Sequence, residues 1–278
     1  VKYDPRLNAP LLITVILIGA HWWQGVLRGY EAVAVAVVAA IGTELALRRL
    51  VTGQPAQIAS AYVSGISIAI LVRSPLLWPY LLGAMVSIMS KHVLRLRDRH
   101  LWNPTNFGMC ALLFLAPNAV APLSVQWGND LWPMLVIWAI GLNAVRLARR
   151  AHITLAYIAA FLVFALIRAA VTGSSFATEA APITGPMYQL FALFMVTDPK
   201  TTVNSKRGAV AVVVAVAFVE MLLRFAEVIY APFYALFLVG PIGLLTEQWW
   251  KARHPSPEPS PQNGEAVVVP SYHQKPTP

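Results

Sequence analysis

The sequence predicts an all-α, polytopic membrane protein of about ten transmembrane helices, and three observations carry that prediction. Of 278 residues, 58% are hydrophobic and 12% charged, against about 25% charged in a soluble domain. The charges are clustered, which leaves near-neutral runs of about 15–20 residues, the length of a bilayer-crossing helix; the alternation of a β-barrel strand is absent. The basic residues also fall in alternate connecting segments, as the positive-inside rule requires.

The elements follow in order. Residues 1–9 are mostly polar (Lys2, Asp4, Arg6, Asn8). The first span, Pro10 to Leu27, lacks a small-residue cleavage site and reads as retained; His21, Trp22 and Trp23 near its end fit an interfacial belt. Span 2, Tyr30 to Leu47, ends at Arg48-Arg49, with Glu44 one turn earlier and placed to pair with Arg48. Span 3 is Ile58 to Leu71 and span 4 Leu76 to Met89, followed by a basic loop, Lys91 to His100. Span 5 opens at Asn103-Pro104, with Asn103 a favourable N-cap and Pro104 at no cost in the first turn, and runs to Leu115. Spans 6 and 7 are Leu131 to Leu142 and Ile153 to Ile167. Span 8, Pro186 to Val196, ends at Thr197-Asp198-Pro199. Spans 9 and 10 are Gly208 to Leu223 and Val228 to Leu245. The transmembrane domain is thus 10–250, and the Pro-rich, polar segment 251–278 reads as a disordered tail.

With the N-terminus in the cytoplasm, every Lys and Arg except Arg28, Arg73, Arg168 and Arg224 lies on that side, together with both termini. A multi-pass protein of the bacterial inner membrane is the expected location. The net charge of +9 reads as loops facing anionic lipid, not as a nucleic-acid surface. Prolines recur at nearly constant separation: Pro10 with Pro133, Pro75 with Pro199, Pro104 with Pro232. An inverted repeat of about five spans per half has this form, as in many secondary transporters.

Two polar, Pro-bearing segments interrupt this apolar pattern, Leu101 to Gly108 and Thr197 to Thr202. Asn103 and Asn106 share a face at the start of span 5, where free helix-start N–H groups suit an anion or a polar ring edge; the alternative is a capped helix entry with nothing bound. Thr197, Asp198, Thr201 and Thr202 offer oxygens to a ring, a phosphate or a cation, or else form a solvated Asx-type turn. Glu220 in span 9 reads as the partner of Arg224, or as a proton relay. The single Cys110 excludes an internal disulfide. No metal-ligand spacing, nucleotide loop or catalytic triad is present, so no catalytic or metal residue is expected.

Several of these stretches, Asp4-Pro5-Arg6, Ser90-Lys91-His92, Arg99-His100, Asn103-Pro104-Thr105-Asn106-Phe107-Gly108 and Phe194 to Thr202, together resemble one family. It contains the D subunit of Rnf electron-transport complexes and the B subunit of the sodium-translocating NADH:quinone reductase, and the likeness is closest to its shorter UnbU-type relatives. The resemblance implies two five-helix halves, a membrane subunit working with other redox subunits, and flavin. It assigns a cofactor role to Asn103, Thr105, Asn106, Thr197, Asp198, Thr201 and Thr202. The family's covalent FMN site, a threonine within Ser/Thr-Gly-Ala-Thr, has no counterpart here; Gly173 to Thr178 is the nearest stretch and does not match. The resemblance therefore implies a non-covalent flavin (riboflavin or FMN) or a quinone between the halves. The competing expectation is a transporter or channel-like protein for a small solute or cation, or an accessory subunit of a larger membrane complex.

Overall fold

The computed structural model describes residues 8–24, 29–122 and 131–254, and they are mostly helical. The helices are α1 (Asn8–Gln24), α2 (Tyr30–Leu47), α3 (Ile58–Leu71), α4 (Trp78–Val93), α5 (Pro104–Leu115), α6 (Leu131–Leu147), α7 (Ala151–Thr172), α8 (Phe176–Ala180), α9 (Pro186–Leu190), α10 (Lys206–Phe225) and α11 (Ala231–Arg253). Wider π turns extend α2 through Arg48–Thr52 and α9 through Phe191–Met195. Among the described residues, three helices are long and apolar enough to cross a membrane: Tyr30–Val51, Ala151–Thr172 and Lys206–Phe225. Shorter apolar helices include Ile58–Leu71, Pro104–Leu115 and Met134–Leu147. The remainder of span 1 beyond Gln24, and the tail beyond His254, lie outside the described residues.

The helices start where their sequences allow. Pro104 occupies the first turn of α5, and the Asn103 side chain accepts the Asn106 N–H at 3.0 Å. Ser205 caps α10 in the same way, through the Gly208 N–H at 3.1 Å. Gly53 and Gly173 stop α2 and α7 in the left-handed region, at φ 63° and 74°.

Several boundaries differ from the sequence expectation. Lys91 and His92, read as the start of a loop, form the last turn of α4, because Glu44 of α2 pairs with the Lys91 ammonium and hydrogen-bonds the His92 ring across the helix interface. Helix α7 runs past Ile167 to Thr172 and buries Arg168, whose partner Glu179 sits on the short helix α8. That helix and the 3₁₀ turn Ala181–Thr184 occupy a stretch read as loop. Helix α11 continues through Lys251 to Arg253, into the segment read as tail. The basic loop after α4 folds into a two-residue hairpin, β2 (Arg95–Leu96) with β3 (Arg99–His100). A second small pairing joins β1 (Val72–Arg73) to β4 (Ala121–Pro122).

Small residues let neighbouring helices approach closely at several contacts. A side chain at Gly65 of α3 would strike the α2 backbone at Ala36 and Val37, 2.8 Å from the Val37 Cα. One at Gly108 of α5 would meet Ser87 and the Gly83 carbonyl of α4. Helix α2 packs on α3 and α4, and α4 on α5; α7 packs on α10, and α10 on α11. The two groups meet where α1 touches α6 and α5 touches α11. The candidate site lies at one end of the α5–α11 seam.

Candidate functional site

The two polar segments singled out in the sequence come together. The Asn103 Nδ2 donates to Asp198 Oδ2 at 3.3 Å, closing a gap of 95 residues along the chain. Asn103 is then fully engaged, its oxygen capping α5 and its nitrogen holding the second motif.

Around this contact the 197–202 segment is a tight turn. Lys200 N–H donates to Asp198 Oδ1 at 3.0 Å, the Asx turn that the sequence allowed. The Thr202 hydroxyl donates to the Asp198 carbonyl at 2.7 Å, and Thr197 donates to the Leu193 carbonyl at 2.6 Å. Burial raises the Asp198 carboxyl above the usual aspartate range, against the lowering effect of the Lys200 N–H, the Thr201 hydroxyl and the charges of Lys200 and Arg150. Burial likewise draws Arg150 below the usual arginine value, and the facing Asp198 opposes it.

The remaining members of the expected site divide. Asn106 is fully buried and donates to the Phe233 carbonyl of α11 at 3.2 Å. Its Oδ1 meets no hydrogen-bond partner among the described residues. Cys110, one turn on, also points at the Phe233 carbonyl, at 3.5 Å. Thr105 is buried but does not line the cleft beside Asn103. That cleft is bounded by Trp102, Asn103, Met195, Thr201, Thr202 and Pro241, among others. Its volume is ≈ 20 Å³, room for about one water. The Trp102 indole donates to the Phe237 carbonyl at 2.9 Å and stands in an aromatic group with Phe107 and Phe237, ring centroids 5.5 to 5.7 Å apart.

Sequence reading missed three features. The first is Arg99, whose guanidinium reaches the Pro199, Lys200 and Thr202 carbonyls and Glu247 of α11. Arg99-His100 is among the stretches that carry the family resemblance, but neither residue has a role on sequence grounds, because a basic loop has no local signal of such a contact. The second is His100 of the same hairpin, buried and with Nδ1 unpartnered among the described residues. Burial lowers its pKa to about 4, aided by Lys200, Lys91 and Arg95.

The third is the set of cross-helix partners that extend the two expected i,i+4 pairs into buried networks. Glu44 accepts from Arg48 at 3.1 Å, as the i,i+4 spacing predicted. It also accepts from Lys91 at 3.1 Å and the Gln57 N–H at 3.1 Å, and bonds His92 at 2.8 Å. Glu220 pairs with Arg224 at 3.0 Å, again as the spacing predicted, and also accepts from the Tyr157 and Tyr188 hydroxyls at 2.7 and 2.6 Å. Arg168 and Arg224 both lie over the Phe161 ring, 5.4 and 5.7 Å from its centroid. The His/Cys/Asp/Glu groupings of a metal centre are absent among the described residues. His21 contacts the Tyr30 ring edge-on at 5.2 Å.

No protein-family model matches the chain, and no curated protein shows significant similarity to it.

Proposed function

We propose that the chain is a ten-span protein of the bacterial inner membrane, with both termini cytoplasmic and two inverted halves of about five helices each. In this reading it is the membrane subunit of an electron-transport system and holds a non-covalent flavin or quinone ring at the α5–α11 seam, working beside other redox subunits.

The repeat draws support from features that the proline spacing alone did not carry. Leu47-Arg48-Arg49-Leu50-Val51-Thr52-Gly53 closes α2, and Ile167-Arg168-Ala169-Ala170-Val171-Thr172-Gly173 closes α7. Both stretches bury their first arginine and stop at a left-handed glycine. The buried faces run in step: Ala32, Ala36, Ala40 and Glu44 on α2 against Ile153, Tyr157, Phe161 and Ala165 on α7. On α4, Tyr80, Ala84, Ser87, Ile88 and Lys91 match Ala209, Val213, Val216, Ala217 and Glu220 on α10. Under a two-fold pseudo-symmetry each half's first helix meets its own counterpart, and so does each fifth, which is the α1–α6 and α5–α11 pairing described above.

The observation that carries the electron-transport reading is the Asn103–Asp198 hydrogen bond. It joins the two motifs on which the family resemblance rests, beside an aromatic wall suited to a planar ring. The cleft as it stands has room for about one water, so a ring at this seam requires Trp102 and the Thr201–Thr202 turn to stand farther apart than they do here. The test is the visible spectrum of the purified protein with flavin and quinone extraction: a coloured, flavin-bearing or quinone-bearing preparation supports the reading, and a colourless one without either cofactor defeats it.

The second reading, a transporter on the same scaffold, is favoured by the buried carboxylates Glu44 and Glu220, which are costly to keep in membrane helices. It is tested by solute or cation uptake into proteoliposomes.

A further inference from the structure

We infer that Arg99 is a positioning residue that clamps the 199–202 turn and so sets the width of the cleft beside Asn103. Its Nε donates to the Lys200 carbonyl at 3.3 Å, and its two terminal nitrogens reach the Pro199 carbonyl at 3.2 Å, the Thr202 carbonyl, and Glu247 Oε2 at 3.1 Å. Three carbonyls within four residues point at one cation. Near-parallel carbonyl dipoles repel, and a planar guanidinium with donors spread along a fork offsets that repulsion at all three carbonyls, whereas a compact ammonium does not span them.

The clamp has its own support. Glu247, which receives Arg99, also accepts the Asn204 N–H at 3.0 Å, just past the turn, and pairs with Lys251 at 3.1 Å. The guanidinium therefore ties three elements: the β2–β3 hairpin that carries it, the turn, and the end of α11. Arg99 sits in β3, four residues before Asn103, so the hairpin that presents the clamp also leads into the helix cap. Thr201 and Thr202 form one wall of the cleft and Asn103 part of another, and Arg99 holds the first wall from behind. Arg95 and Arg97 on the same hairpin are exposed.

The inference deepens the ring-binding reading, but its first test does not depend on any cofactor. Cys110→Ser gives a cysteine-free chain, and Val203→Cys places a thiol at a buried position (6% exposed) next to Thr202. Maleimide labelling of this reporter is followed in detergent, with Arg99 intact or replaced. Arg99→Gln and Arg99→Lys should each label about tenfold faster, as the turn opens locally, while Arg97→Gln labels like the parent. Arg99→Lys separates a clamp from a simple ion pair. It keeps the charge opposite Glu247, so parent-like labelling in Arg99→Lys with fast labelling in Arg99→Gln would reduce the role to that pair and overturn the clamp. Unchanged labelling in both variants would overturn it outright. Since Arg99→Lys retains the charge, it decides the question even if Arg99→Gln fails to fold. Flavin or quinone retention is then read in the same preparations. Loss in step with faster labelling ties the clamp to the ring site, whereas faster labelling in a chain whose parent holds neither cofactor leaves the clamp standing and removes the ring.

Discussion

Asn103 uses both ends of its amide. Replacing it with Ala removes a helix cap, a loss of about 1 kcal/mol, and also leaves Asp198 without the donor that draws the two motifs together. Asn103→Ala should therefore lower cofactor retention well beyond its modest effect on the unfolding midpoint, and Asn103→Asp should restore the cap but not retention, because a carboxylate faces Asp198. Equal retention in all three proteins would reduce the segment to a helix cap. Nearby, His100 makes the fold sensitive to acid. Its folded pKa, about 4, lies below the ordinary 6.5, so the unfolded chain binds the proton first. Stability on this account is complete above pH 6.5 and declines as pH falls toward 4, by roughly 3 kcal/mol in all. Asp198, shifted upward, acts in the opposite sense, favouring the fold at low pH. Unfolding midpoints in detergent across this range, compared with His100→Asn, isolate the histidine: the variant should lose the decline between pH 6.5 and 4.

At the scale of the element, the two buried networks explain which parts of the fold could be read from the sequence. Glu44–Arg48 and Glu220–Arg224 are i,i+4 pairs on single helices, so spacing alone exposed them. Lys91–Glu44 and the Tyr157 and Tyr188 bonds to Glu220 span separate helices, and no local pattern encodes them. The same distinction accounts for the misplaced helix ends. Lys91 and Arg168 look like loop residues by charge, but distant carboxylates make them tolerable inside α4 and α7. Breaking a buried pair by removing one partner costs about 3–5 kcal/mol. Glu220→Gln should reach that range, since it leaves the Arg224 guanidinium uncompensated. Lys251→Gln, which removes a half-exposed ammonium from Glu247 while Arg99 and the Asn204 N–H remain on that carboxylate, should cost about 1 kcal/mol or less. Unfolding midpoints in detergent distinguish the two; equal effects would place Glu220 outside the energetic core.

For the whole molecule, composition and charge clustering conveyed a helical chain with helices apolar enough for a membrane, and proline spacing suggested the repeat proposed above. The approach of Asn103 to Asp198 was not legible, although both were named as candidates, because their meeting depends on how α5, α10 and α11 pack. Small residues decide that packing, and Gly83, Gly108 and Gly243 matter for what they leave out. The proposed function rests on one claim, that the α5–α11 seam holds a redox ring where the two motifs touch. The most direct measurement is the flavin and quinone content of the purified wild-type protein beside that of Asn103→Ala and Arg99→Lys. The account predicts about one ring per chain in the wild type and a marked loss in both variants. A wild-type protein that carries neither cofactor, or variants that keep it undiminished, would contradict it.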